Sequence, residues 1–352
     1  MEEADTKTRA DGAHAARFLI PVLLIVIIAY TGCAMRPEPV ARQSFHFDTV
    51  CSVTIFDMEN MSEKNAAEAI EAAFGQLREY ERLFSRTREG TDIWKINHAG
   101  GEPVNCDART VELIRKGLSY HALSGGRFAL TVGAVTQLWD FHEGKTELPD
   151  PDVLKEAVKH IDDAGILIDG NTVMLKDPLA VIDLGAIAKG YAADGIDALL
   201  REKGVTSAVI DLGGNISCIG QKPQDGAGRK SRPFVIGIEL PFSDRREIIG
   251  TTELTDETVA TSGIYERFFD AGGRRYHHIL DVSTGYPADT DILGISIVSS
   301  AGHSSDCDAL STICLMLGQE SAMELIESME GFEALSIGAE GEIRTTSGFD
   351  LD

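Results

Sequence analysis

VIDLGAIAKGYAADGIDALLREKGVTSAVIDLGGNISCIG, from Val181 to Gly220, is the stretch whose reading decides the fold. Its apolar start (Val181 to Leu184) predicts a strand. A glycine-bounded turn carrying Lys189 follows, then an amphipathic helix, then a second strand (Ala208 to Leu212) entering Gly213 and Gly214. In the helix Ile196, Leu199 and Leu200 recur at helical spacing, Asp197, Arg201, Glu202 and Lys203 fall elsewhere, and Gly204 is placed as a C-cap. A lysine and several bare backbone amides thus meet where a strand turns into a helix, an arrangement that suits phosphate. The same residues also make an ordinary connection, with glycine for turn geometry and a solvent-facing lysine. The rest of the chain has to separate the two readings.

Upstream of this unit, a hairpin is predicted over Ile166 to Leu175, turning at Asp169 to Asn171, and Asp150 with Pro151 starts a short helix. Gly126 to Phe141, rich in Gly, Thr and aromatic residues, reads as an irregular loop. Asp107 N-caps a helix through Leu123, a loop runs from Phe84 to Asn97, and Ser62 caps a long helix with Ile70, Ala73, Phe74 and Leu77 on one face. Phe45 to Phe56 has strand composition. Downstream, Gln221 to Arg232 reads as a surface loop, and strands are expected at Phe234 to Leu240, Ile248 to Leu254, from Arg274 and at Ile292 to Ser299. A helix from Ser304 to Leu317 ends at Gly318, and a helix and hairpin close the chain. Interleaved strands and helices give a mixed α/β (α+β) class, with one domain over residues 45–352.

At 352 residues, with 43% hydrophobic and 25% charged, the chain is long and apolar enough to fold. The net charge of -24 argues against a nucleic-acid partner. It also means that a phosphorylated ligand needs local help from placed cations, a metal ion or helix N-termini. At the N-terminus Arg9 and Arg17 precede the apolar run Phe18 to Tyr30, which at about 13 residues matches a secretory h-region better than a membrane span. Thr31, Gly32 and Cys33 then resemble a bacterial lipobox with Tyr30 in place of the usual aliphatic residue. The expectation is a signal peptide over 1–33, a lipid anchor on Cys33, a linker over 34–44 and an extracytoplasmic body on a bacterial membrane, at the periplasmic face of the inner membrane. An uncleaved anchor puts the body on the same side. The cysteines beyond Cys33 show no CxxC spacing, which suggests neither a zinc site nor a redox pair.

Three groups carry chemistry. Asp308 and Thr312, four residues apart, share a helix face distinct from that of Leu310, Ile313 and Leu317. A carboxylate and a hydroxyl there supply two oxygen ligands for a hard cation such as Mg²⁺, or else a first-turn acid and a back-bonded threonine. His277, His278 and Asp281 offer a general base held by a carboxylate, or a strand histidine beside a turn-forming Asp. Thr261, Ser262, Gly263 and Tyr265 suit close approach to a planar ligand, and equally an ordinary turn into a helix.

IDLGAIAKGYAAD, VIDLGGNI, VATSGIYERFF, RYHHILDVSTGYP and SDCDALST, in this order, resemble the successive signatures of the ApbE family, the FAD:protein FMN transferases. The resemblance spans Phe45 to Leu317. It implies an extracytoplasmic, often lipid-anchored enzyme that binds FAD as substrate, uses Mg²⁺, and transfers FMN to a Thr or Ser of a target protein, releasing AMP. Targets of such enzymes include subunits of sodium-pumping and Rnf-type electron-transfer complexes. By the same resemblance Asp308, Thr312 and the Ala186 carbonyl are metal ligands, and Lys189 lies near the diphosphate. Thr49, Gly213, Gly214, Ser262, Gly263 and Tyr265 line the flavin nucleotide, and His278 is the base, with Asp281 orienting it. The chain departs from the family where Phe47, Asp48 and Thr49 replace Met-Gly-Thr, and at Ala129, where Asp is common. An FAD pyrophosphatase using water as acceptor needs the same residues. A non-catalytic flavin-binding lipoprotein is the rival from another class.

Overall fold

The structure, a computed structural model, describes residues 38–58, 60–139, 141, 147–224, 230–243 and 247–352. The expected signal peptide, Cys33 and residues 34–37 of the expected linker lie outside them. In chain order the elements are β1 (Val40–His46), β2 (Thr49–Ile55), α1 (Glu63–Phe84), α2 (Asp92–Asn97), β3 (Val104–Asn105), α3 (Ala108–Leu123), α4 (Gly133–Thr136), α5 (Pro151–Val158), β4 (Ile166–Asp169) and β5 (Thr172–Leu175). They continue with α6 (Ala188–Glu202), β6 (Ser207–Leu212), β7 (Asn215–Gly220), β8 (Phe234–Glu239), β9 (Ile248–Leu254), β10 (Glu257–Gly263), β11 (Phe268–Ala271) and β12 (Arg274–His277). The last are β13 (Ile292–Ser300), α7 (Ser304–Leu317), α8 (Gln319–Glu327), β14 (Phe332–Gly338) and β15 (Ile343–Thr345).

An antiparallel sheet in the order β1-β2-β6-β7-β10-β13-β14-β15 organises the fold. Its strands alternate between two apolar faces. Ile210, Leu212, Ala260, Ile295 and Ile297 face a core shared with α1, α6, α7 and α8, while Val209, Ile216, Val259 and Val298 pack on Phe234 and Leu254 of the β8–β9 ribbon. This is the mixed α/β class expected from the sequence, realised with antiparallel strands. α7 is apolar almost all round because it is covered on every side: Cys307, Ala309, Leu310, Ile313, Cys314 and Leu315 are all fully buried.

Two stretches expected as loops carry short helices, α2 within Phe84 to Asn97, which Thr91 N-caps, and α4 within Gly126 to Phe141. Three further expectations need correction. Phe45 to Phe56 is a hairpin, because Phe47 and Asp48 take φ of 51° and 57° and turn the chain between β1 and β2. Glu81 of α1 holds that turn, accepting from the Phe47 N–H at 2.8 Å and pairing with His46 Nδ1 at 2.7 Å. The linker expected over 34–44 overlaps β1, whose Val40 is buried in the core. Val181 to Leu184 is no strand; Val181 makes only an isolated parallel bridge to Val132. Asn97 replaces the partner strand there, its side chain accepting from Ile182 N at 2.7 Å and donating to Ile182 O at 2.9 Å. The helix that follows and its glycine stop are as expected, with Gly204 at φ 82° and Val205 N–H closing back on Leu200 O.

Candidate active site

The site grows from the crossing of two helix starts. Gly190, in the first turn of α6, lies against the first turn of α7 so closely that a Cβ on it would stand 2.3 Å from Ser304 O and 2.6 Å from Ser305 Cα. Only glycine permits that approach. The contact brings the Gly190 N–H to Asp308 Oδ2 at 3.0 Å and sets Lys189 Nζ 3.7 Å from Asp308 Oδ1. Asp308 is only 2% exposed.

This arrangement frees a carbonyl. In a regular helix the Gly190 N–H would bond back to Ala186 O, one turn earlier. Because it is given to Asp308, the Ala186 carbonyl accepts none of the turn and loop bonds among the described residues. Thr312 Oγ1 donates to Asp308 O at 3.4 Å, a bond that uses its proton and leaves its lone pairs available. The two sequence readings of Thr312 are therefore compatible. Asp308, Thr312 and Ala186 offer a carboxylate, a hydroxyl and a carbonyl, an all-oxygen donor set that fits a hard divalent cation. Among the described residues no cluster of three or more His, Cys, Asp or Glu side chains competes for it.

The strands supply the floor. Ser262, on β10, shares a hydrogen bond with Ser311 Oγ at 2.8 Å, one turn from Asp308. The ring of Tyr265 covers Gly263. Gly213 and Gly214 form the turn between β6 and β7 at φ 65° and 93°, and a Cβ on Gly213 would stand 2.3 Å from Thr49 Oγ1. Thr49, Gly213 and Gly214 thus form one junction of neighbouring strands. The two glycine amides are already committed, donating to Asp211 Oδ1 at 3.0 and 3.3 Å. β10 is followed by a turn into β11, so Thr261 to Tyr265 does not lead into a helix.

His278 and Asp281 do not pair as expected. His278 Nδ1 faces Arg267 O at 3.2 Å, whereas Asp281 Oδ1 accepts from the N–H and Oγ of Ser283, both at 2.7 Å. Asp281 shapes the turn after β12. The group that orients His278 is the Arg267 carbonyl, and since a carbonyl only accepts, Nδ1 carries the proton and Nε2 keeps its lone pair. His277 is a core residue, with Nε2 on Ala288 O at 3.1 Å and Nδ1 buried without a partner. Burial, with the nearby Arg267, pushes His278 down to about 3; burial likewise pushes His277 down to about 4. Lys189 adds to the repulsion on His278.

One acidic group was missed in the sequence. Glu266 accepts from Gly263 N–H at 3.1 Å; burial pushes its carboxyl up, Lys189 pulls it down and Asp308 raises it again. The residue as a whole is nevertheless exposed. It sits inside VATSGIYERFF, among hydroxyls and rings, far in sequence from the Lys189 whose charge acts on it.

The two depressed histidines carry a pH dependence of stability. Their ordinary value is 6.5, so below that pH the unfolded chain takes up protons that the folded chain refuses until near 4 and 3. The stability is intact above pH 6.5 and falls as pH drops. Urea midpoints measured from pH 7 to pH 4.5 are expected to decline, and His278→Gln to flatten the decline. An unchanged slope in the variant would contradict the burial of this imidazole.

Comparison with known proteins bears on this geometry. The model of the ApbE family matches residues 47–336. A FAD:protein FMN transferase of Treponema pallidum is 35% identical over 341 residues, covering 94% of this chain and 93% of the relative. One from Klebsiella pneumoniae is 31% identical over 277 residues, covering 78% and 83%. Among solved structures, the ApbE protein of Thermotoga maritima matches with a TM-score of 0.77 at 30% identity, over 88% of this chain and 97% of that one.

Proposed function

The chain belongs to the ApbE family of FAD:protein FMN transferases, and on that footing we propose that it moves FMN from FAD to a Thr or Ser hydroxyl of a target protein with the help of Mg²⁺, releasing AMP. The observation that carries this reading is the buried Asp308 carboxylate, gripped by Gly190 N–H and flanked by Lys189 and Thr312, with the Ala186 carbonyl one turn before Gly190 accepting no turn or loop bond among the described residues. The start of α6 has given the Gly190 amide to a protein carboxylate, and the β6–β7 turn has given its amides to Asp211. An anionic diphosphate entering so acidic a protein then draws on Lys189 and a cation on Asp308. Bound there by Asp308, Thr312 and Ala186, Mg²⁺ supplies charge neutralisation on the diphosphate.

The chain's own residues do the rest. The acceptor hydroxyl oxygen bonds to the FMN-side phosphorus, the bond from that phosphorus to the bridging oxygen breaks, and AMP departs with the oxygen. The hydroxyl proton goes to Nε2 of His278. Lys189 stabilises charge on the leaving side. Burial, with Arg267 and Lys189, makes the free imidazole a weak base, and anion binding beside the two cations offsets their share of that depression. Thr49, Gly213, Gly214, Ser262, Gly263 and Tyr265 are assigned to the flavin nucleotide. Asp281 has no catalytic part in this scheme.

The acceptor is taken to be a subunit of a sodium-pumping or Rnf-type electron-transfer complex, and the body to be held outside the cytoplasm by a lipid on Cys33. The mass of the mature N-terminus tests the anchor. The activity is tested by incubating the protein with FAD, Mg²⁺ and such a subunit: an FMN-sized mass increase on the acceptor supports transfer, whereas free FMN and AMP without it indicate hydrolysis. His278→Ala is expected to retain Mg²⁺ and FAD binding and to lower transfer about 10²-fold or more, the usual contribution of a positioned base. Unchanged transfer in that variant removes His278 from the mechanism.

A further inference from the structure

Asp194 lies in the same helix as Lys189 and Gly190 and has no part in the chemistry above. Four residues after Gly190, it projects from the same side of α6. Its Oδ1 accepts from Ser304 N–H at 2.7 Å, and its Oδ2 accepts from Ser305 N–H at 3.0 Å and Ser305 Oγ at 2.6 Å. These amides begin α7, whose own N-cap position, His303, makes no side-chain cap. A carboxylate from another helix therefore supplies the cap and the negative charge that the start of α7 favours.

The result is a two-point clamp. One turn along α6, Gly190 N–H holds the Asp308 carboxylate; one turn back along α7, Ser304 and Ser305 are held by Asp194. The bonds run in opposite senses: α6 donates at the Gly190 end and accepts at the Asp194 end. Sliding or rotation of α7 on α6 would break both ends together. We propose that Asp194 is a positioning residue, which fixes the register of α7 on α6 and so sets Asp308 and Thr312 opposite the Ala186 carbonyl for a divalent cation. The inference rests on the cation reading of the site given above.

A neighbouring network on the same helix start provides the control. Tyr120 donates to Asp306 Oδ1 at 2.5 Å, and Lys116 Nζ lies 2.8 Å from the same oxygen. Lys116 also donates to Ser305 Oγ at 2.6 Å and so joins the clamp, whereas the Tyr120 hydroxyl ties α3 to α7 at Asp306 alone. Losing the Tyr120 hydroxyl is expected to lower stability and leave the clamp intact.

The test is calorimetric titration of the full chain with MgCl₂, alongside thermal unfolding without metal. Asp194→Asn retains one acceptor oxygen and removes the charge; its Mg²⁺ Kd is expected to rise about ten- to a hundredfold, the usual effect of losing a group that orients a ligand. Ser305→Ala keeps both amides and is expected to weaken Mg²⁺ binding less. Tyr120→Phe is expected to lose thermal stability at an unchanged Kd. Should Asp194→Asn fail to fold, Ser305→Ala against Tyr120→Phe decides the matter. Wild-type Mg²⁺ affinity in Asp194→Asn and Ser305→Ala, with Asp308-dependent binding intact, overturns this inference alone. Mg²⁺ binding that is absent, or indifferent to Asp308→Asn, overturns the cation reading and this inference with it.

Discussion

Asp308→Asn is expected to leave the chain folded and to lower FMN transfer on the order of 10³-fold, the scale seen when one preorganised electrostatic group is removed. The asparagine Oδ1 can still accept the Gly190 N–H, so the helix crossing keeps its bond. What disappears is the negative charge of a side chain that is 2% exposed and supplies the only carboxylate in the donor set. The neutral amide leaves Lys189, 3.7 Å away in the parent, without its counter-charge. Transfer is measured by the mass of an acceptor protein at saturating FAD, and metal dependence by titrating Mg²⁺ in the same assay. Parent-level transfer with an unchanged Mg²⁺ requirement would show that Asp308 is a structural acid capping α6.

Gly190→Ala is expected to damage both the fold and the site with a single methyl. The added Cβ meets Ser304 O at 2.3 Å and Ser305 Cα at 2.6 Å, backbone atoms that cannot swing aside like a side chain. α7 must shift away, and both ends of the Gly190 and Asp194 clamp open together. Overpacking of this kind costs about 3 kcal/mol or more, read as a fall in the urea midpoint, and transfer is expected to be lost with it. A variant that unfolds at the parent midpoint would mean that α7 tolerates displacement. Ala193, also fully buried in α6, serves as the reference position: Ala193→Gly removes volume and is expected to cost about 1 kcal/mol, the helix-propensity price of glycine.

Particular residues show where sequence reasoning succeeded. The sequence marks Ser62, Asp107 and Asp150 as N-caps, and each side chain accepts an N–H from the first turn of its helix. Capping is a local hydrogen bond within a few residues, so it is legible without knowing the rest of the fold. The helices of Lys189 and Asp308 followed from apolar spacing and glycine stops for the same reason. Val181 to Leu184 differs because an apolar run reports burial, not strand pairing; Ile182 and Leu184 are buried, but Asn97 answers the backbone of Ile182 and the start of α6 that of Leu184. The hairpin at Phe47 and Asp48 is not legible because a phenylalanine rarely takes positive φ, and the tie that holds the turn comes from Glu81, remote in sequence.

Sequence by itself determined the mixed α/β class, the helices that carry the site and the family to which they belong, because spacing, caps and ordered motifs are properties of short segments. Tertiary structure alone decided how those segments meet. It showed that Gly190 is a glycine because α7 crosses it, that its amide serves Asp308 and so leaves the Ala186 carbonyl without a turn or loop bond among the described residues, and that Asp281 turns away from His278 while Arg267 O takes its place. Hydrogen bonds between residues more than a hundred positions apart, such as Gly190 to Asp308, depend on how helices pack. No local pattern in the chain encodes that distance.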